Sequence, residues 1–266
     1  MQLELNGSSA YAYTGGKAFD PALPCVVFIH GAQNDHSVWS LQSRWFAHHG
    51  FSVLAVDLPG HGRSDGDPLS SIEGLADWIE LLLEKVGAGG TAQANLVGHS
   101  MGSLTALACA ARHPARVARI ALIGTAVPMP VSDSLLAAAK DNEPKAIAMI
   151  NGWSHSQRGL MGGNKVPGMW MYGASRRLME RQRPGVLYND LAACNAYTGG
   201  LDAAANVQCP ALIISGKRDQ MTSPKAAAKL ATVMDVRTVS LEGTGHALMA
   251  ENPDGVLDAL RHFITP

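Results

Sequence analysis

Charge is scarce in this chain and nearly balanced. Only 16% of its 266 residues are Asp, Glu, Lys or Arg, and 21 basic against 22 acidic side chains leave a formal net charge of −1. Without a field of one sign, nothing would draw the protein to nucleic acid or to an anionic membrane, and neither is expected as a partner. Cysteine is sparse as well. Cys25, Cys109, Cys194 and Cys209 are widely scattered with no CxxC spacing, and three of them sit in apolar segments where a thiol behaves as a small hydrophobe. All four are expected to be reduced and structural, which suits a cytoplasmic protein. Long apolar runs are missing: a stretch such as CVVFI at 25–29 is far shorter than the roughly 20 residues that span a bilayer. The opening MQLELNG also lacks the basic and apolar regions of a secretory signal.

What remains is a globular composition, 47% hydrophobic, long enough for one large domain or one domain with a substantial insertion. A chain of this size removes roughly three quarters of its unfolded surface from water on folding. Short β-rich runs alternate with helical patterns, the signature of a mostly parallel sheet covered on both faces. Strands are expected at 25–30, 52–57, 95–99, 120–124, 211–215 and 237–241, where apolar residues are near-continuous rather than alternating. Residues 3–13 suggest an antiparallel hairpin at one edge. Helices are expected at 71–85, from the spacing of Ile72, Leu75, Ala76, Ile79, Leu82 and Leu83, and at 101–111. Another opens at Asn252-Pro253, an N-cap followed by proline, and runs to about Phe263.

The alternation breaks between about residues 128 and 206. No strand pattern occurs there, and the interval holds six of the eleven methionines (129, 149, 161, 169, 171 and 179) together with Trp153 and Trp170. It reads as a helical cap, 128–205, inserted into a core formed by 1–127 and 206–266.

The chemistry centres on Gly98-His99-Ser100-Met101-Gly102. The G-x-S-x-G string is weak alone, but here it follows an expected strand and opens an expected helix, the context that gives it meaning. The serine must sit on a tight, strained turn, and side chains two positions to either side would collide, hence the glycines. A serine hydroxyl needs a base, and His246 in Gly243-Thr-Gly-His246 follows the last strand on a glycine-flanked loop. The imidazole needs an acid to fix its tautomer. Asp219, ending Ser215-Gly-Lys-Arg-Asp219, lies at the carboxyl edge of the sheet where ligands bind in such folds, whereas Asp235 and Glu242 read as surface residues. An oxyanion hole needs two backbone N–H groups. Met101, at a helix N-terminus, offers one, and Ala32, in the His30-Gly31-Ala32 loop, offers the other, with Gly31 letting the backbone turn.

Together these residues resemble the α/β-hydrolase superfamily over essentially the whole chain. The matching pieces are His30-Gly31 with Trp39, Asp57-Leu-Pro-Gly-His-Gly-Arg-Ser64, the elbow at 98–102, Gly216-Lys-Arg-Asp219 and Gly245-His246. Ser103 stands where many relatives carry another glycine. The resemblance implies an α/β-hydrolase fold, a mostly parallel twisted sheet flanked by helices with an inserted cap. Relatives that cleave carbon–halogen bonds or epoxides use an aspartate at the elbow, so serine here argues against those reactions. What the resemblance implies instead is hydrolysis of a carboxylic ester or lactone of small to medium size through an acyl-enzyme. The alternatives are a carbon–carbon hydrolase acting on vinylogous diketones and a cofactor-free perhydrolase. No metal or organic cofactor is implied, since no histidine–carboxylate cluster shows metal-ligand spacing. A binding protein that kept the fold and lost catalysis is disfavoured, because Ser100, Asp219 and His246 are all present.

Substrate choice is expected to lie in the cap, whose Met, Trp and Tyr content suits an adaptable apolar pocket. The arginines at 176, 177, 181 and 183 read as a solvated helix face, with attraction of an acidic substrate as the alternative. His36 and His155 are candidates for the pocket wall. The sequence sets neither the substrate nor the oligomeric state.

Overall fold

In the computed structural model, which describes residues 1–87, 93–163, 168 and 170–265, the apolar runs become strands of one sheet. They are β1 (Gln2–Leu5), β2 (Ser8–Tyr13), β3 (Cys25–Ile29), β4 (Ser52–Val56), β5 (Ala94–His99), β6 (Val117–Ile123), β7 (Ala211–Gly216) and β8 (Val236–Leu241). The order across the sheet is β1-β2-β4-β3-β5-β6-β7-β8. The β1–β2 hairpin and the β2–β4 pair are antiparallel, and every other pairing is parallel.

The continuous apolar runs follow from burial on both faces, because successive side chains of a strand point to opposite sides. Val27 and Ile29 of β3 pack into one apolar layer, with Leu54, Leu96 and Leu122 of neighbouring strands. Val26 and Phe28 pack into the other, with Val53, Val97 and Ile123. Full burial of such a side chain is worth about 1.5–3 kcal/mol.

The first layer is closed by α2 (Ile72–Lys85) and α3 (Met101–Arg112), the second by α1 (Ser40–Ala47) and, at the chain's end, a helix described below. Helix α2 starts where Ser71 Oγ accepts the Gly74 N–H at 3.1 Å, with Glu73 in the first turn and Lys85 in the last, as the helix dipole favours. Between β6 and β7 the described residues form helices only: α4 (Asp133–Asp141), α5 (Glu143–Ser154), α6 (Gln157–Leu160), α7 (Met171–Glu180), α8 (Val186–Ala196) and α9 (Gly200–Ala205). Leu135, Ile147, Ile150, Met179, Leu187 and Leu191 build an apolar cluster of their own. Cys194, Tyr197 and Ala204 belong instead to the layer under α3. Met169 lies outside the described residues. After β7 come α10 (Pro224–Ala227), α11 (Leu248–Glu251) and α12 (Pro253–Ile264). Asn252 Oδ1 caps α12 by accepting the Gly255 N–H at 3.3 Å, and Val256, Leu260 and Ile264 face the sheet.

The strand order places the site. From β3 the chain moves outward to β4, then returns through α2 to β5 on the other side of β3. Connections that leave in opposite directions open a crevice at the carboxyl ends of β3 and β5. The register sets Ile29 beside Gly98, so the loop after β3 and the turn after β5 are neighbours.

Candidate active site

Ser100 sits on that turn, between the end of β5 and the start of α3, with φ +53° and ψ −118°. Such a conformation is strained for a non-glycine residue and persists only where its surroundings over-determine it. The Ser100 N–H donates to the Ile123 carbonyl at 2.9 Å, and Ser103 Oγ donates to the Ser100 carbonyl at 2.6 Å. Ser103 thus braces the strained residue from inside the helix. The flanking glycines are steric necessities: a Cβ on Gly98 would lie 2.0 Å from the Gly102 carbonyl oxygen, and one on Gly102 would lie 2.3 Å from the Ile29 oxygen.

His246 stands on the loop after β8. Its Nδ1–H donates to Asp219 Oδ2 at 2.8 Å, both side chains being almost wholly buried. That bond fixes the tautomer and leaves Nε2 as the basic nitrogen. Asp219 is itself held by the Met221 and Thr222 amides on Oδ1 and by the Thr222 hydroxyl on Oδ2, each at 2.8 Å. Burial alone would raise the Asp219 carboxyl, but the His246 charge and hydrogen bond, with those from Thr222, hold it below the usual carboxylate range. Asp235 and Glu242, the acids set aside in the sequence, are exposed.

The amides at Ala32 and Met101 lie on the two loops that the switch point brings together. Met101 N–H opens α3, among the first-turn donors that a helix leaves without an internal acceptor; its side chain is buried in the core. Gly31 eases a close approach rather than a turn. Its φ is not positive; rather, a Cβ there would come within 3.1 Å of His99 Nδ1 and Ser100 Cβ. Beside it, His30 Nδ1–H donates to the Gly31 carbonyl at 2.8 Å, while the Leu58 N–H donates to His30 Nε2 at 3.1 Å. The Gly31 carbonyl and the Ala32 N–H belong to one planar trans peptide, so anchoring the oxygen on His30 aims the N–H the opposite way. Burial, then the neighbouring His61, push the His30 pKa down to about 4.

Ser100, His246, Ala32 and Thr222 all line one cavity of about 580 Å³ between the sheet's edge and the inserted helices. Trp153, His155, Met171, Leu178 and Leu191 complete its apolar wall from the insertion side. His36 does not reach it. Its Nδ1 and N–H both bond Asp57 Oδ1 at 2.7 Å, bracing the 57–64 loop, where Ser64 Oγ also donates to the Asp57 carbonyl at 2.6 Å. Folding does bring ligand atoms of Asp35, His36 and Asp57 within 4.8 Å of one another, a cluster invisible in the spacing. Each member is already engaged, Asp57 with His36 and Asp35 with Ser37 and Arg181, so the group belongs to a hydrogen-bond network. Of the arginine run, Arg176 and Arg177 pair with Glu180 on the exposed side of α7. Arg183 donates to the Ser64 and Gly66 carbonyls. Arg181 alone borders the cavity, and Asp35 balances its charge at 2.5 Å.

Three further residues serve the site without any mark in the sequence. His99 Nε2–H donates to the His246 carbonyl at 2.9 Å, tying the His246 loop to the turn at Ser100, and burial with the nearby His246 depresses its pKa to about 3. Glu251 accepts from the Gly245 N–H at 3.2 Å with one oxygen and from the Ser156 N–H at 2.9 Å with the other, clamping the His246 loop to the insertion. Asp190 of α8 accepts from His61 Nε2–H at 2.8 Å and from the Gln33 N–H at 2.9 Å, fastening the insertion to the loop that carries Ala32. Burial alone would depress the His61 imidazole, but the Asp190 carboxylate holds it above its ordinary value.

A profile of the alpha/beta hydrolase family matches residues 26–259. The chain belongs to the alpha/beta hydrolase family. By class it is a hydrolase; the bond it cleaves is a separate matter. It is similar to a pimeloyl-[acyl-carrier protein] methyl ester esterase of Aromatoleum aromaticum, 29% identical over 87% of this chain and 94% of that one. It is also similar to an (E)-2-((N-methylformamido)methylene)succinate hydrolase of Acinetobacter baylyi, 24% identical over 90% and 89%. Among solved structures, the enol-lactonase from Burkholderia xenovorans LB400 superposes with a TM-score of 0.87 at 24% identity, covering 100% of both chains, and that likeness is one of fold.

Proposed function

We propose that the chain is a serine hydrolase that cleaves a carboxylic ester or lactone of small to medium size through an acyl-enzyme. The observation that carries this reading is the meeting of a strained Ser100 and an Asp219-oriented His246 on one cavity. Ser100 Oγ attacks the carbonyl while His246 Nε2 takes its proton. The N–H groups of Ala32 and Met101 stabilise the oxyanion, the protonated His246 gives its proton to the departing alcohol, and a water activated in the same way releases the acid. With a lactone, the departing hydroxyl stays attached to the acyl chain.

The segment 128–205 acts as a cap that shapes the pocket, whose volume lies in the range usual for small-molecule sites. The esterase and lactonase named among the similar proteins fit this chemistry. A carbon–carbon hydrolase would draw on the arginine run to hold an acidic substrate, but those arginines pair with Glu180, backbone carbonyls and Asp35. No helix among the described residues is long and apolar enough to cross a membrane; the free cysteines support a cytoplasmic location.

The test is hydrolysis of p-nitrophenyl esters from acetate to decanoate by wild type and Ser100→Ala in parallel. Wild-type turnover that falls about 10⁴-fold or more in the variant is expected. Turnover that survives the substitution would sink the role of Ser100.

A further inference from the structure

Gln33 is one of three non-glycine residues with a positive φ among the described residues, at +56°. Side chains other than Asn and Asp seldom accept that left-handed backbone. Its own side chain is wholly buried. The amide nitrogen donates to Glu143 Oε1 at 2.7 Å and to the Met179 carbonyl at 3.1 Å, while Oε1 has no partner among the described residues. A glycine would take the turn without strain, and an apolar side chain would fill the space without burying an amide. Gln33 carries both costs.

Each of its contacts reaches a different helix of the insertion. Glu143 opens α5 and Met179 lies in the last turn of α7. The Gln33 N–H goes to Asp190 of α8 at 2.9 Å. The second Glu143 oxygen accepts the N–H of Gly185, just ahead of α8, at 3.1 Å, so the three helices are joined around this one residue. On the other side stands Ala32. Its carbonyl accepts from Asn34 Nδ2 at 3.1 Å, so the peptide between Ala32 and Gln33 is held at both ends, the oxygen by Asn34 and the N–H by Asp190. One peptide earlier, the Gly31 carbonyl takes the Asn34 N–H at 3.2 Å as well as His30. The His30 bond sets the direction of the Ala32 N–H, and the turn at Gln33 sets where along the loop it stands.

We propose that Gln33 is a positioning residue for the Ala32 N–H. By holding the left-handed turn against three helices of the insertion, it keeps that amide within reach of the substrate's oxyanion, so the oxyanion hole is complete only while the insertion is seated. This rests on the serine-hydrolase reading and extends it: the insertion completes the catalytic machinery as well as walling the pocket. An oxyanion donor must stand about 2.7–3.1 Å from the developing charge, and a misplacement of about 1 Å costs on the order of 100-fold. A donor used mainly in the transition state shows its loss in kcat rather than in KM.

The experiment measures kcat and KM on the best p-nitrophenyl ester, and inhibition by an alkylboronic acid, for wild type, Gln33→Met, Gln33→Gly and Leu187→Ala. The boronic acid imitates the tetrahedral intermediate: Ser100 Oγ bonds to boron, its proton passes to His246, and boron becomes a tetrahedral anion. Gln33→Met keeps the length and the backbone N–H but loses the donor, and Gln33→Gly keeps the turn but loses the side chain. Leu187 is buried in the insertion's apolar cluster and outside the cavity wall, so Leu187→Ala loosens the insertion in general. Both Gln33 variants are expected to lower kcat per folded protein by about 10–100-fold, with little change in KM, and to weaken the boronic acid by a similar factor. Leu187→Ala is expected to lower the Tm while leaving kcat near that of wild type. A Gln33 variant that folds with wild-type kcat, a loss confined to KM, or unchanged boronic acid inhibition overturns the proposal. So does an equal kcat loss in Leu187→Ala, which would make Gln33 an anchor of the insertion only. Should one Gln33 variant fail to fold, the other carries the same test. Ester turnover that survives Ser100→Ala is a different failure, that of the serine mechanism, and is read from its own variant.

Discussion

Removing the Asp190 carboxylate tests what holds the inserted helices against the loop that carries Ala32. Asp190 is 2% and His61 1% exposed in their side chains, and Asp190 Oδ2 serves both the imidazole and the Gln33 amide. Asp190→Ala leaves two buried donors without an acceptor, and deleting one member of a buried pair costs about 3–5 kcal/mol. With an unfolding entropy of about 2.1 cal/mol/K per residue, that loss lowers the Tm of a 266-residue chain by about 5–9 °C. Asp190→Asn keeps an oxygen in place but removes the charge, so it separates geometry from electrostatics. Because the folded state raises the His61 pKa above 6.5, the charge-dependent part of the stability is complete below the unfolded value and is lost as the pH rises through the folded one. His30, 4.9 Å away with a pKa of about 4, stays neutral throughout that window. Thermal melts between about pH 6 and pH 9 are expected to show wild type exceeding Asp190→Asn most at the acid end, with the gap closing upward. A gap that does not change with pH, or an Asp190→Ala loss below about 1 kcal/mol, the scale of an exposed ion pair, would refute the reasoning.

Other substitutions bear on the elbow, the clamp and the acid. Gly98→Ala puts a methyl group 2.0 Å from the Gly102 oxygen and is expected to abolish ester hydrolysis, measured per folded protein by circular dichroism; retained activity would mean the elbow is softer than its geometry indicates. Glu251→Ala frees the Gly245 and Ser156 amides, and the misplaced base is expected to lower kcat by about 10–100-fold with a smaller change in KM. An effect on KM alone would place Glu251 outside the positioning of His246. Asp219→Asn allows the wrong His246 tautomer and is expected to lower kcat by about 10⁴-fold, read with the best ester of the panel.

The inner strands were legible because they are covered on both faces, which turns β3, β4 and β7 into nearly unbroken apolar runs such as 25–29. Helix α2 announced itself by the spacing of Ile72, Leu75, Ala76, Ile79, Leu82 and Leu83, and α12 by Asn252-Pro253 at its start. Helix α1 did not, since Gln42 and Ser43 occupy half of its buried face and dilute the period. At the site, Gly98, Ser100 and Gly102 could be read from the sequence because backbone collisions within a few residues demand them. His99, Glu251 and Asp190 could not, because their partners are distant or are main-chain atoms. His99 meets a backbone carbonyl 147 residues away and Asp190 an imidazole 129 residues away. A polar residue on the inward face of a helix gives no sign of what it will meet. His155 lies between these cases: its place in the insertion made it a candidate for the pocket wall, where the structure puts it, but its bond to the Asn151 carbonyl shows only in three dimensions.

The central claim is that Ser100 is a nucleophile activated by His246 and Asp219, and covalent trapping tests it most directly. The protein is incubated with a p-nitrophenyl alkylphosphonate, digested, and the modified peptide mapped by mass spectrometry for wild type, Ser100→Ala and Asp219→Asn. One adduct is expected, on Ser100, absent from Ser100→Ala and formed far more slowly in Asp219→Asn. Ester turnover without labelling, or a label on another residue, would contradict it.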